Sequence, residues 1–319
     1  MSARIPTIPT FAEAIAMHVR AMRAKRCSAR SIDTLTEETA RHLADWLERP
    51  LASIGRNECA LRHEHLSDAA GPWVANRVLQ QFRAVYNTAA RRFEELPATN
   101  PVVAVTFNRV RRRREPIPWG RLPAWRAAVE RLRNPVRRDL QLFLLFTGLR
   151  SLDARTVRWE HVDLGAGSVH RPRPKGGEER AFTVPLARVV LELLRRRQSG
   201  NHALPGFDGD DAGWVFPARD RGGRVTHVVE PKEQRYVPGP GGRLRKVRHL
   251  PSPHRLRDTF ASAAHEARVH PLDLKVLMNH ALPGSGDVTM GYIRPSIEHL
   301  RGCVEAVAGF LGERMGTLT

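Results

Sequence analysis

Between Leu96 and Pro118 the chain reads LPATNPVVAVTFNRVRRRREPIP, four prolines and an arginine run with no helical period. Proline fixes its own φ and lacks the N–H donor, so no regular helix or central strand can cross this stretch. It therefore splits a chain of 319 residues into two folding units, as expected at a length that exceeds what one hydrophobic core usually serves. The expected layout is a disordered N-terminus (1–10), an all-helical domain (11–100), a basic linker (101–118), a second domain (119–312) and a tail (313–319). The fold class expected is mainly α with a small β-sheet or hairpin.

Periodicity supports that layout. Phe11, Ile15 and Val19 recur at four-residue spacing, as do Val78, Phe82 and Tyr86, which predicts amphipathic helices before the linker. After it, helices are expected near Leu122 to Arg133 and Val136 to Phe146, the latter stopped by Gly148, with Ser151 capping the next. Ser168 to Arg173 and Arg180 to Val184 read as a hairpin with Lys175 in the turn Pro174 to Gly177. Residues 201–251 are rich in Gly, Pro and charge, and Val237 to His249 reads as a mobile basic flap. Ser252 and Pro253 open a helix on which Leu256, Phe260, Ala263, Ala264 and Ala267 form the apolar stripe and His254 and Arg257 share a face. A helix from about Pro271 to Met278 delivers His280, a short helix capped by Asp287 carries Tyr292, and the last helix aligns Ile297, Leu300, Val304, Val307 and Leu311.

Composition narrows the partner. With 52 Lys+Arg against 33 Asp+Glu, the formal charge of +19 attracts polyanions such as nucleic acid, and the phosphoryl-transfer groups below make double-stranded DNA the expected one. Arg111, Arg112, Arg113, Arg114 and Arg173 are candidate DNA contacts. Three scattered cysteines, Cys27, Cys59 and Cys303, fit neither a disulfide framework nor a cysteine zinc cluster, which points to a reduced, cytoplasmic setting. No signal peptide or membrane-spanning run is evident. The string HEARVH places its histidines five apart, one residue too far for the HExxH zinc motif.

Arg150, Lys175, His254, Arg257 and His280 precede Tyr292, one of only three tyrosines. Together these groups suit phosphoryl transfer to a protein nucleophile. A tyrosyl phosphodiester keeps a good leaving group, so the bond energy is stored and no nucleotide is consumed. Arginine forks match the charge that gathers on the non-bridging oxygens, a lysine can protonate a departing alkoxide, and histidines can relay protons.

The strings FTGLRSLDARTVRWEHVDL, PHRLRDTFAS, VLMNH and DVTMGYIR resemble the successive boxes of the tyrosine recombinase, or phage integrase, family. The resemblance is strong over about residues 120–300. The stretch NRVLQQFRAVYNTAARRFEELPATNPVVAV resembles the end of that family's core-binding domain, so 11–100 is expected to be a helical, SAM-like core-binding domain and 119–312 the catalytic domain. The resemblance implies that Arg150 and Arg257 bind the scissile phosphate and that Asp153 braces the first arginine. It also implies that Lys175 protonates the leaving 5′ oxygen, that His254 and His280 assist, and that Tyr292 forms a 3′-phosphotyrosyl bond. Such enzymes recombine specific sites through a Holliday junction as homo-tetramers, need neither metal nor nucleotide, serve mobile elements, and can work with DNA-bending or directionality proteins. The C-terminal stripe is then expected to dock on a neighbouring protomer.

Three features depart from the family pattern. Twelve positions separate His280 from Tyr292, Asn279 stands where glycine is usual, and Asp258 where a basic residue is common. The chain also begins almost at the core-binding helices, which leaves an arm-binding domain unexpected. The rival readings are a type IB topoisomerase, which shares the chemistry but relaxes DNA without partner sites, and a DNA-binding regulator that keeps the fold without catalysis.

Overall fold

A computed structural model describes residues 8–110, 115–175, 177–201, 213–229, 250–280 and 295–316, and the backbone alone of 234–238 and 244–248. The chain forms two compact units, one ending at Arg112 and the other beginning at Arg113. Each has its own hydrophobic core.

The first unit contains α1 (Phe11–Ala24), α2 (Ala29–His42), α3 (Arg56–Ala69) and α4 (Pro72–Ala90). Phe11, Trp46, Phe82 and Tyr86 fill its centre, with Phe11 and Trp46 set 5.0 and 5.3 Å from the Phe82 ring. Thr10 and Glu13 form a capping box at the start of α1, and the Pro9 carbonyl accepts from the Leu51 N–H. Pro9 and Thr10 are thus tied to the first unit, within the stretch 1–10 that sequence alone reads as a disordered N-terminus.

The expected linker boundary also moves. Pro101, Val102 and Val105 are buried in the first core. Beyond them, the Asn76 side chain takes the Asn108 N–H at 2.9 Å and donates to the Asn108 carbonyl at 2.8 Å. One asparagine of α4 thus satisfies both backbone groups of Asn108, which holds residues 101–108 to the first unit. The prolines end the helix without ending the unit.

The second unit is built around α6 (Pro135–Thr147), which is buried on nearly every side from Val136 to Thr147. The other elements are α5 (Leu122–Glu130), α7 (Ser151–Arg155), α8 (Arg188–Asn201), α9 (Pro253–Glu266), α10 (Pro271–Leu277) and α11 (Ile297–Met315). A helix surrounded by protein must be apolar all round, and LQLFLLF meets that requirement apart from Gln141. α6 is flanked by α8, α9 and α11.

Three small antiparallel sheets complete the unit. β1 (Val162–Asp163), β2 (Ser168–Arg171) and β3 (Phe182–Pro185) pair in that order, with Val169 opposite Val184 and Arg171 opposite Phe182. The expected hairpin thus gains a third strand. Its connection is also longer than a tight turn, spanning residues 172–181 with a 3-10 turn at Glu178–Arg180. β4 (Pro217–Arg219) pairs with β5 (Val225–His227). β6 (Gln234–Pro238) pairs with β7 (Leu244–Arg248), so the described part of the stretch read as a flap is paired antiparallel strand. Two runs flanking a Gly/Pro cluster are a hairpin signal, and composition alone hides it.

Two further expectations change. α11 continues to Met315, so the tail expected from residue 313 starts as helix. Leu300, Val304, Val307 and Leu311 are buried within the chain's own second unit, against α9 and β3 among others. The stripe sequence alone assigns to a neighbouring protomer is therefore core, because a helix satisfies its apolar face on whichever surface lies nearest. No helix among the described residues is long and apolar enough to cross a membrane.

Candidate active site

The site is assembled where the C-terminal ends of two helices meet one buried guanidinium. α6 stops at Gly148, whose φ of +61° is left-handed, a conformation that costs glycine little. A side chain there has no room, since an added Cβ would lie 2.3 Å from Cδ1 of Phe260 on α9. This close approach brings α9 against the end of α6. α10 stops at Met278, and its exit turns through Asn279 at φ +46°. Asparagine is among the few non-glycine residues that tolerate this region. That accounts physically for asparagine at a position where the family pattern has glycine.

Arg257, in the second turn of α9, is 4% exposed. Its Nη1 donates to the Gly148 carbonyl, and its Nη2 donates to the Met278 carbonyl at 2.7 Å and lies 2.8 Å from His280 Nε2. Both carbonyls belong to helix C-terminal ends, where the backbone dipoles leave partial negative charge. Arg150 is the residue before α7, and its Nη2 donates to the Asn279 carbonyl at 3.3 Å. The guanidinium of Arg150, that of Arg257 and the imidazole of His280 thus converge on residues 278–280.

Neither Arg150 nor Arg257 forms an ion pair with a described carboxylate. Burial, then the nearby charge of Arg150, push Arg257 down to about 10, with Asp153 and Asp258 pulling the other way. It remains cationic at neutral pH. Asp153 is 2% exposed; burial pushes its carboxyl up, while Arg171, Arg150 and Arg257 oppose that rise. Its Oδ2 accepts no hydrogen bond from any described group. The counter-charge comes from the buried Asp153 and, for Arg257, also from Asp258, against the three guanidiniums of Arg150, Arg171 and Arg257, so the group retains an excess of positive charge suited to an anion.

Arg171 is the participant that sequence reading missed. It is 4% exposed and donates to the carbonyl and hydroxyl of Thr156 at 3.0 and 2.7 Å. Its charge, with those of Arg150 and Arg257, opposes the upward push that burial gives the Asp153 carboxyl. The signal was available: in SVHR, residues 169 and 171 share a strand face, and an arginine on the same buried face as Val169 needs a partner inside.

The remaining predicted residues are placed differently. His254 is exposed at the start of α9 while Arg257 points inward, so the shared face divides. Lys175 is exposed in the connection after β2, and Arg173 nearby is exposed and paired with Glu178. No described side chain joins Lys175 or His254 to the arginine pair. Ser151 is not the cap of α7; Arg150 holds that position. Tyr292, and Arg111, Arg112, Arg113 and Arg114, lie outside the described residues. α9 ends at Glu266, and His270 caps α10 instead, so HEARVH spans two helices.

A helical first unit followed by a helical second unit with small sheets is the two-domain architecture of integrases. The chain belongs to the phage integrase family, whose model matches residues 128–299. It is similar to the prophage integrases IntF and IntZ of Escherichia coli K12, at 29% identity over 159 residues and 25% over 173. These alignments take in 50% and 53% of this chain but only 31% and 38% of the two relatives. Among solved structures, the Tn1549 transposon integrase in complex with a circular intermediate DNA aligns with a TM-score of 0.62 at 16% identity, over 91% of this chain and 97% of that one. A lambda integrase tetramer bound to a Holliday junction aligns with a TM-score of 0.59 at 15% identity, over 88% and 80%. At that identity the likeness is one of fold.

Proposed function

We propose that this protein is a site-specific DNA recombinase that cuts and rejoins strands through Tyr292. The observation that carries the reading is the buried Arg257, held by two helix ends beside Arg150 and His280 without a carboxylate of its own. Such a site favours an anion of phosphate size over solvent. In the step proposed, a bond forms between the Tyr292 oxygen and phosphorus, and the bond from phosphorus to the 5′ oxygen breaks. Arg150 and Arg257 hold the non-bridging oxygens. The phenolic proton leaves through a histidine, His254 or His280, and the 5′ oxygen receives one from Lys175. The charge on phosphorus is unchanged, so the reverse reaction with a new 5′ hydroxyl reseals DNA without a nucleotide. Asp153 and Arg171 set the positions and net charge of the arginines.

A Holliday junction intermediate and assembly of several copies on DNA are proposed by analogy with the lambda integrase tetramer bound to a Holliday junction. The partner surface would differ from the α11 stripe, which is core here. A library of nicked duplexes tests the reading: cleavage beside a nick releases a short fragment, so the covalent complex accumulates. Wild type should yield denaturant-stable protein–DNA adducts sharing a sequence, and Tyr292→Phe should yield none. Equal adduct formation by Tyr292→Phe, or none by wild type across the library, would overturn it. Efficient relaxation of a supercoiled plasmid unrelated to the captured sequence would favour a topoisomerase.

A further inference from the structure

Away from the arginine group, Asp273 of α10 meets His299 and Cys303 of α11. His299 Nε2 lies 2.8 Å from Asp273 Oδ2, and Cys303 Sγ lies 3.9 Å from each of those atoms. His299 and Cys303 are four apart, so one helix presents both on the same face. Asp273 is 6% exposed, which fixes its carboxylate in place, whereas the His299 side chain is about half exposed.

We infer that Asp273, His299 and Cys303 form a Zn²⁺ site that clips α10 to α11. Zinc bonds of about 2.3 Å to sulfur and about 2.0–2.2 Å to nitrogen and oxygen place tetrahedral ligands roughly 3.4–3.6 Å apart. The three separations here are 2.8, 3.9 and 3.9 Å, so the triangle has the right size. Only the hydrogen-bonded pair must open and the sulfur close in, each by about half an ångström. The charges also balance, since one thiolate and one carboxylate neutralise the dication. Cys303 releases its thiol proton on binding, and His299 keeps its remaining proton on Nδ1. Solvent on the exposed side supplies the fourth ligand. Thiolate with imidazole selects zinc over magnesium or calcium.

The clip joins the two helices on either side of residues 278–296. α10 ends at Leu277 and α11 starts at Ile297, so the metal fixes both ends of the segment carrying His280 and Tyr292. That consequence rests on the proposed role of Tyr292, whereas the site itself does not. Cysteine spacing does not signal the site, because the other two ligands are of different residue types and Asp273 lies 30 residues from Cys303.

Co²⁺ titration of the full-length, chelator-treated protein tests the site, because cobalt bound by thiolate gives a sulfur-to-metal charge-transfer band. One equivalent should saturate the band, and Zn²⁺ should displace it. Cys303→Ser should abolish the band, His299→Ala should weaken binding at least tenfold, and Cys27→Ser should leave both unchanged. Unaltered hydrogen exchange of α11 in Cys303→Ser would show that the variant folds. No saturable binding, or a band that disappears with Cys27 and survives in Cys303→Ser, would overturn the inference. Covalent trapping through Tyr292 is a separate readout, so either result can fail alone.

Discussion

Gly148 answers to two constraints at once, and Gly148→Ala separates them. At φ +61° a residue with a Cβ costs about 1–2 kcal/mol more than glycine. The new Cβ would also lie 2.3, 2.6 and 2.9 Å from three ring atoms of Phe260, where ordinary contact begins near 3.4 Å. Overpacking of this kind adds about 1–3 kcal/mol, for a total of about 2–5 kcal/mol. Phe260→Ala removes all three of those atoms. In that background Gly148→Ala should cost only the backbone part, about 1–2 kcal/mol, and the cycle should show a coupling energy of about 1–3 kcal/mol. Peptide-resolved hydrogen exchange reads the opening free energy of α6 and α9 without involving the first unit. Strict additivity, or a single-mutant cost below about 0.5 kcal/mol, would refute the packing account.

Arg197 and Asp139 form a buried pair at 3.1 Å, so Arg197→Met should destabilise the second unit by about 3 kcal/mol, the low end of the range for breaking a buried pair, because Arg138 and Arg196 remain near Asp139. Burial already holds the Asp139 carboxyl above its ordinary range, so the folded state favours its proton and the deficit should shrink as pH falls; a urea titration at several pH values reads this. Thiol labelling should follow burial: exposed Cys27 first, half-buried Cys303 slowly, and Cys59, whose thiol is pushed up to about 12 by burial, only on unfolding. Binding to DNA should weaken by about three to five orders of magnitude between 50 and 200 mM salt if six to ten phosphates are contacted; a flat salt response in a filter-binding or fluorescence assay would contradict the role assigned to the +19 charge.

Much of the layout was legible along the chain because it rests on local rules. The apolar periods of α1, α4, α6 and α9, the glycine stop at Gly148 and the proline at the start of α9 are all one-dimensional signals. The misread parts depended on partners distant in sequence. Val102 and Val105 look like linker until Asn76 binds Asn108 32 residues away. The α11 stripe looks like a docking face until α9 and β3 cover it.

The order and types of the groups carrying the candidate chemistry, from Arg150 to Tyr292, were set by sequence alone, and with them the family. Tertiary structure decided how the described groups are used. It turned Arg257 inward between two helix ends while leaving His254 outside. It recruited Arg171 beside Asp153 and brought Cys303 to His299 and Asp273. The physical reason is that periodicity records which face of an element is buried, whereas the charge and donors met on that face come from segments distant in sequence.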